Sequence, residues 1–446
     1  MVSRPINKQI FRLAIPNILS NLSVPLLSSV DTALVGHLPS PVYIGAVALG
    51  SMIFNFVYWG FGFLRMGTTG LTAQAYGQKD QQDMQLQLWR ALFFALFAGL
   101  LLILFQDLIA LIAFNLIEGS AEVEKYALIY FKIRIYAAPA TLALYAIQGW
   151  FLGMQNARLP LIITVTINLL NIIFNVLFVV QLKMTSDGVA LGTVFAQYLG
   201  LMLSVYFLLK KYRTYFKMPS FKQVVEMMAL TRYFKVNFDI FVRTLSLIFA
   251  FSFFTAQSAK LGDLTLAANS VLIQLWMIFS YGIDGFAFSA ESLVGKYLGA
   301  GNRPMLIKVI KQIFIFGSGL GFIISIVYGL LDQQITSLFT NNLQVLHVID
   351  AFMIWTIFAP FVNSFCYIWD GVFLGATASK GLRNAMLLST FGVYLPLHYL
   401  LTPLHGNHGM WAALLGFMIF RTISLSFLSK KYLKISVKEI VMGEAL

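Results

Sequence analysis

The sequence predicts an all-α integral membrane protein, with twelve transmembrane helices in two pseudo-symmetric six-helix bundles. Three observations predict it. Of 446 residues, 59% are hydrophobic and only 11% are charged, a balance a soluble domain of this size does not need. The apolar residues fall in successive blocks of about 20 or more, the length that crosses about 30 Å of hydrocarbon. Lys and Arg collect in alternate loops, as the positive-inside rule requires.

Taken in order, the blocks place spans at about 11–38, 44–70, 88–113, 126–153, 157–181, 188–209, 233–260, 267–294, 308–331, 347–375, 382–402 and 409–428. The basic start, Met1 to Pro16, resembles a signal peptide only loosely. Its apolar block is too long, carries Asp31 and lacks a small-residue cleavage site, so it reads as a retained first span. One side of the membrane receives Lys8, Arg12, Lys79, Arg90, Arg158, the run from Lys210 to Arg232, Lys296, Arg303, Arg383 and the Lys430–Lys438 tail. The other receives mainly Lys125, Lys183 and Lys260, beside acidic Glu118, Glu122 and Glu124. Both termini are therefore expected in the cytoplasm, with the chain in a bacterial inner membrane. The net charge of +13 is explained by this sorting and does not call for nucleic acid. A lone cysteine, Cys366, excludes an intrachain disulfide and a cysteine metal cluster.

The halves of the chain resemble each other. Ala75-Tyr76-Gly77-Gln78-Lys79-Asp80 follows span two as Tyr297-Leu298-Gly299-Ala300-Gly301-Asn302 follows span eight. Ala138-Pro139 recurs as Ala359-Pro360, Gln148–Gly153 as Asp370–Gly375, and Gly188 as Gly409, all at an offset of 221 or 222. The expected organisation is an N-lobe over 1–209, a basic cytoplasmic linker over 210–232 and a C-lobe with a tail over 233–446. Six spans per half keep both halves in one orientation, with a substrate path between the bundles.

Polar residues recur at helical spacing inside several spans. Span five carries Thr164, Asn168, Asn171 and Asn175; span one carries Asn17, Asn21, Ser28 and Asp31. Span two has Arg65, Thr69, Thr72 and Tyr76; span eight has Gln274, Tyr281, Asp284 and Glu291; span ten has Asn363, Tyr367 and Asp370. Each set shares one helix face. An amide or hydroxyl there often serves only to bond a neighbouring helix, worth about 0.6–2 kcal/mol. Asp31 is different, because an ionisable group inside a span is a functional candidate by default. Counting inward from the outer loops, Asp31, Tyr130, Asn171, Asn175 and Thr193 share a level roughly 10 Å below the outer surface. Desolvation disfavours the charged carboxylate, so Asp31 is expected to load and release a proton, or to hold a monovalent cation with its neighbours. Asp239 and Arg243, four apart in span seven, read as a local ion pair. There is no HExxH, Walker A loop, GxSxG or kinase signature, so neither a soluble-type enzyme nor an ATP-driven pump is expected.

Four phrases carry a family resemblance: Ser29-Val30-Asp31-Thr32-Ala33-Leu34-Val35-Gly36-His37-Leu38, Phe63 to Gly77, Gly282-Ile283-Asp284-Gly285-Phe286-Ala287-Phe288-Ser289-Ala290-Glu291, and Asp370 to Thr377 with Arg383-Asn384. With them, nearly the whole chain resembles the multidrug and toxic compound extrusion (MATE) family, in its DinF-like branch. The resemblance implies a secondary active antiporter that exports organic cations or other amphiphiles against inward H+ or Na+, with no cofactor, and for which a monomer suffices. It implies Asp31 as the protonatable residue, with Asn171, Thr193 and Tyr130 beside it. The family's second acid, four residues after the span-five Asn, is Asn175 here. That departure favours H+ as the coupling ion over Na+ at Asp31, Asn171 and Thr193. Asp370 matches the span-ten Asp of the C-lobe cation site in other branches, but Ala250 to Ala256 supplies no acid to join it. The candidate substrate cleft is lined by Arg65, Met66, Gln148, Asp284, Glu291 and Asp370. Alternating access by rocking of the lobes, with span one bending at Pro25, is the expected mechanism. A lipid or lipid-linked oligosaccharide flippase is the alternative. It would need cations in the cleft, for which Arg65, Arg243 and Arg421 are the intramembrane candidates.

Overall fold

The computed structural model describes residues 5–36, 40–116 and 120–442, and within this range the side chains of 26–35 are not described. The long helices are α1 (Ile6–Gly36), α2 (Pro41–Gln78), α3 (Gln81–Leu104), α4 (Ala121–Gly153), α5 (Arg158–Gln181), α6 (Ser186–Lys211), α7 (Met227–Lys260), α8 (Asp263–Gly299), α9 (Arg303–Leu330), α10 (Leu343–Gly375), α11 (Ser379–His405) and α12 (Asn407–Tyr432). The eleven from α2 on are long and apolar enough to cross a membrane. With α1 they make the twelve spans of an all-α integral membrane protein, and the described residues contain no strand.

Helix starts are written in the sequence. Ser40 accepts from the Val42 amide ahead of Pro41, Asp80 caps α3, Ser120 caps α4, Asn302 caps α9 and Asn342 caps α10. Each side chain satisfies an amide that the first turn leaves orphaned. Several of the helices are interrupted or carry a proline within. α2 breaks at the Phe61-Gly62 turn. α4 tightens to a 3-10 turn at Ile135–Ala137 just before Pro139. α5 and α11 widen to π segments at Val176–Gln181 and Leu388–Tyr394. Pro360 lies inside α10.

The chain forms two compact units, Leu19–Tyr233 and Met1–Ile18 with Phe234–Leu446. The first is filled by Trp150, Phe131, Phe151, Phe54 and Tyr130, and the second by Trp276, Trp411, Phe254, Phe279 and Phe373. Large apolar side chains such as Phe97, Leu100 and Leu104 on α3 lie exposed one turn apart, as expected of a face turned to lipid.

The repeat is visible as the same backbone contact within each unit. In the first, a Cβ on Gly149 of α4 would lie 2.5 Å from the Arg65 carbonyl oxygen of α2. In the second, a Cβ on Gly371 of α10 would lie 2.2 Å from the Ala287 carbonyl oxygen of α8. One turn on, Gly153 meets the Thr69 carbonyl and Gly375 meets the Glu291 carbonyl. All four pairs differ by 222 in number (371−149, 287−65, 375−153, 291−69). Lys79 and Gly301, also 222 apart, follow α2 and α8 in the left-handed region, at φ 59° and 64°.

The basic segment 210–232 does not hang free. Tyr212 accepts from Asn156, Trp89 donates to the Lys217 carbonyl, and buried Arg90 donates to the carbonyls of Gln223 and Val224. It is fastened to the first unit by side chains of α3 and the α4–α5 turn.

Candidate functional site

The polar face of α5 is tied to three other helices of its unit. Thr164 meets Gln148 of α4 at 3.5 Å, and Asn168 donates to the Ser23 hydroxyl of α1 at 2.9 Å. Asn171 donates to the Thr193 hydroxyl of α6 at 3.0 Å, and Asn175 donates to the Asn171 carbonyl oxygen at 2.9 Å. Thr193 in turn donates to the Val189 carbonyl. Asn171 and Asn175 are buried, and a Cβ at Gly192 would stand 2.1 Å from the Asn175 carbonyl oxygen. Only glycine leaves room for that amide. The π segment begins directly after Asn175, and such bulges recur where a helix serves a site.

Of the residues the sequence places at one level, Asn171, Asn175 and Thr193 form one hydrogen-bonded chain. Asp31 lies on α1, eight residues past Ser23, about 12 Å of helix rise; its side chain falls outside the described residues. Tyr130 is buried but bonds elsewhere, to Ser51 at 3.1 Å and to Arg134. All acceptors and donors in the Asn–Asn–Thr chain are neutral. Such a chain can orient hydroxyl and amide oxygens around a proton or a monovalent cation, but brings no charge of its own.

The expected cleft residues divide between the units. Arg65 and Met66 of α2 and Gln148 of α4 are partly buried in the first. Asp284 and Glu291 of α8 and Asp370 of α10 belong to the second, where Glu291 is fully buried. Asp370 is engaged by two cations: it accepts from Arg243 of α7 and, at 2.6 Å, from Arg421 of α12. All three are buried, Arg421 to 1% exposure. Arg421 also donates to the Met418 sulfur and lies over the Phe417 ring.

This overturns the local pairing expected of Asp239 with Arg243. Asp239 accepts from Arg383 at 2.6 Å and from Ser379 at 2.9 Å. Both residues are buried, and α11 brings Arg383 and Ser379 to Asp239 while α10 brings Asp370 to Arg243. An intrahelical pair would have left Asp370 buried with less compensation, which is costly. The same contacts remove Arg243 and Arg421 as phosphate-binding groups for a flippase, since each is held on an internal carboxylate.

One intramembrane cation escaped the sequence reading. Arg134 lies 13 residues into the 33-residue α4. Its Nη1 donates to Ser51 at 3.1 Å and to Tyr130, and its guanidinium lies 4.8 Å from the Phe54 ring centroid. The signal was Tyr130 and Arg134 at one-turn spacing inside an apolar span, masked by the polar start of that span.

Comparisons with known proteins fall in line with this architecture. The MatE family model matches residues 16–177 and 240–400. DNA damage-inducible protein F of Escherichia coli (strain K12) is 37% identical, across 96% of this chain and 92% of its own. A probable multidrug resistance protein NorM of Thermotoga maritima is 24% identical across 97% of this chain and 94% of its own. A multidrug resistance MATE family transporter of the MOP superfamily, solved in an outward-facing conformation, superposes with a TM-score of 0.86. It covers 97% of both chains at 18% identity, a likeness of fold. The chain belongs to the MatE family of membrane transporters, on the branch of DNA damage-inducible protein F.

Proposed function

We propose that this chain is a secondary active efflux antiporter. It exports organic cations or other amphiphilic small molecules in exchange for inward H+ by alternating access, with both termini in the cytoplasm of a bacterial inner membrane. The observation that carries the choice of ion is the Asn171–Asn175–Thr193 chain. Its members are neutral, buried and mutually bonded, so Asp31 is the acid left to couple in that half. A cationic substrate and a proton then compete for one carboxylate, and protonation from outside releases the substrate. Na+ coupling would ask the same oxygens to replace a hydration shell with a single carboxylate, a weaker cage than a hard cation prefers.

The reading is tested by export of ethidium from proteoliposomes, wild type beside Asp31→Asn, under an imposed ΔpH or an imposed Na+ gradient. Export under ΔpH alone, lost in the variant, is expected. Export that needs Na+, or that survives in Asp31→Asn, sinks the proton assignment.

A further inference from the structure

Arg134 is the starting point. It sits about 20 Å along α4 from the outer helix end, near the middle of the span, where a guanidinium is costly unless it serves a watery path or a partner. Among the described residues, its hydrogen bonds go to neutral hydroxyls through Nη1. Among the described residues, no carboxylate pairs with it and its buried Nε has no hydrogen-bond partner. The Nε–Nη2 edge is the one that takes a carboxylate through two parallel hydrogen bonds. Phe54 covers one face of the group and Tyr130 locks its end, so the fork is oriented in advance.

The charge pattern around it points the same way. In α2 to α6, every carboxylate (Asp83, Glu122, Glu124, Asp187) lies within the first four residues of its helix. Arg65 and Arg134 lie deep in theirs, and Tyr145 is within electrostatic reach of both. Within this unit the spans thus carry Arg65 and Arg134, the ion pair of Lys132 with Asp107 at 3.2 Å and, on α1, Asp31. A purely cationic substrate would leave the Arg134 fork without an anionic partner. A zwitterionic amphiphile would not.

We propose that Arg134 is a subsite for the carboxylate of zwitterionic amphiphilic substrates. Their cationic end competes with the proton at Asp31, so the proposal rests on the antiport reading for its second half. The carboxylate end rests on the guanidinium fork, with Tyr130 and Ser51 holding the fork in place.

The test uses rhodamine 110, a zwitterion with a free carboxylate, and rhodamine 123, its methyl ester. Binding to the full-length protein is followed by fluorescence anisotropy for wild type, Arg134→Gln and Arg134→Lys, without any gradient. Arg134→Gln is expected to weaken rhodamine 110 about tenfold to a hundredfold while rhodamine 123 holds or gains. Arg134→Lys keeps the charge without the fork and should fall between. Equal loss of both probes, no loss of rhodamine 110, or failure of wild type to bind it would overturn the proposal. Export of the two dyes under ΔpH separates the readings. If neither is exported but the binding contrast stands, antiport fails and the subsite survives. If both are exported and the contrast is absent, the subsite fails alone.

Discussion

Asp370 accepts from two guanidinium groups in a place where water is scarce. The triad is net positive, and it holds because one carboxylate compensates both arginines at close range. Removing the anion alone should therefore cost more than removing the pair. Asp370→Asn is expected to destabilise the protein by about 3–5 kcal/mol, read as a large fall in the thermal midpoint in detergent. Adding Arg243→Leu to it should recover part of the loss. If the double variant melts below the single one, the triad is not held by this balance. A second residue-scale expectation concerns Gly192. An added methyl would collide with the Asn175 amide, so Gly192→Ala should cost about 1–3 kcal/mol and impair transport. A variant with wild-type export and stability would show that the amide chain can be displaced without consequence.

The residue scale also shows what the sequence could and could not display. The Asn171–Asn175 contact was legible, because one-turn spacing on a single helix fixes which side chains stack. The partner of Arg243 was not, because helical spacing says nothing of what a neighbouring helix brings. Asp239 stood one turn away and looked sufficient. Arg134 was overlooked for a related reason: its apolar neighbours Ile133 and Ile135 mark the span but give no hint that Ser51 and Phe54 of another helix await it.

Among the elements, the repeated phrases Gln148–Gly153 and Asp370–Gly375 were legible, and their glycines make matching contacts, whereas the caps went unread. Ser40, Asp80, Ser120, Asn302 and Asn342 announce helix starts by chemistry local to them. The π segments were hidden, since a widened turn depends on how the helix is packed rather than on residue type. The short helix Val437–Met442 in the tail makes an element-scale prediction. Glu439 accepts from the Ser436 backbone amide, from Arg303 at 2.6 Å and from the Ser436 hydroxyl. These bonds, the backbone one foremost, lower its carboxyl from 4.5 to about 2. A depressed carboxyl contributes stability that is present above its unfolded value and lost as pH falls. The protection of the amides over 437–442, taken relative to the intrinsic exchange rate at each pH, should therefore be high at neutral pH and fall as pH drops from about 4.5 to about 2. Glu439→Gln should show the faster exchange already at pH 7. Exchange in that variant matching wild type would show that Arg303 and Ser436 do not hold the tail.

For the whole molecule, twelve spans were visible because each is a long apolar block bounded by polar or capping residues. The expected border between halves at 210–232 followed charge, whereas that segment is bonded to α3 and to the turn before α5 within the first unit. A basic run looks like solvent-exposed chain whether or not its backbone carbonyls are taken. Its anchors, Trp89 and Arg90, read equally well as an interfacial aromatic and a loop cation.

The paired glycines have one more consequence. Gly149, Gly371 and Gly375 press against main chain, and Gly153 against the Thr69 carbonyl and the Thr72 side chain, while the side chains at the facing positions differ entirely: Arg65 against Ala287, Thr69 against Glu291. The joint between the helices is made mostly of backbone and is indifferent to what those four facing positions display. A duplicated ancestor with such a joint could let one copy drift in chemistry without loosening its frame, and the two halves of this chain look like the outcome: one chassis, carried twice, fitted with unlike charges.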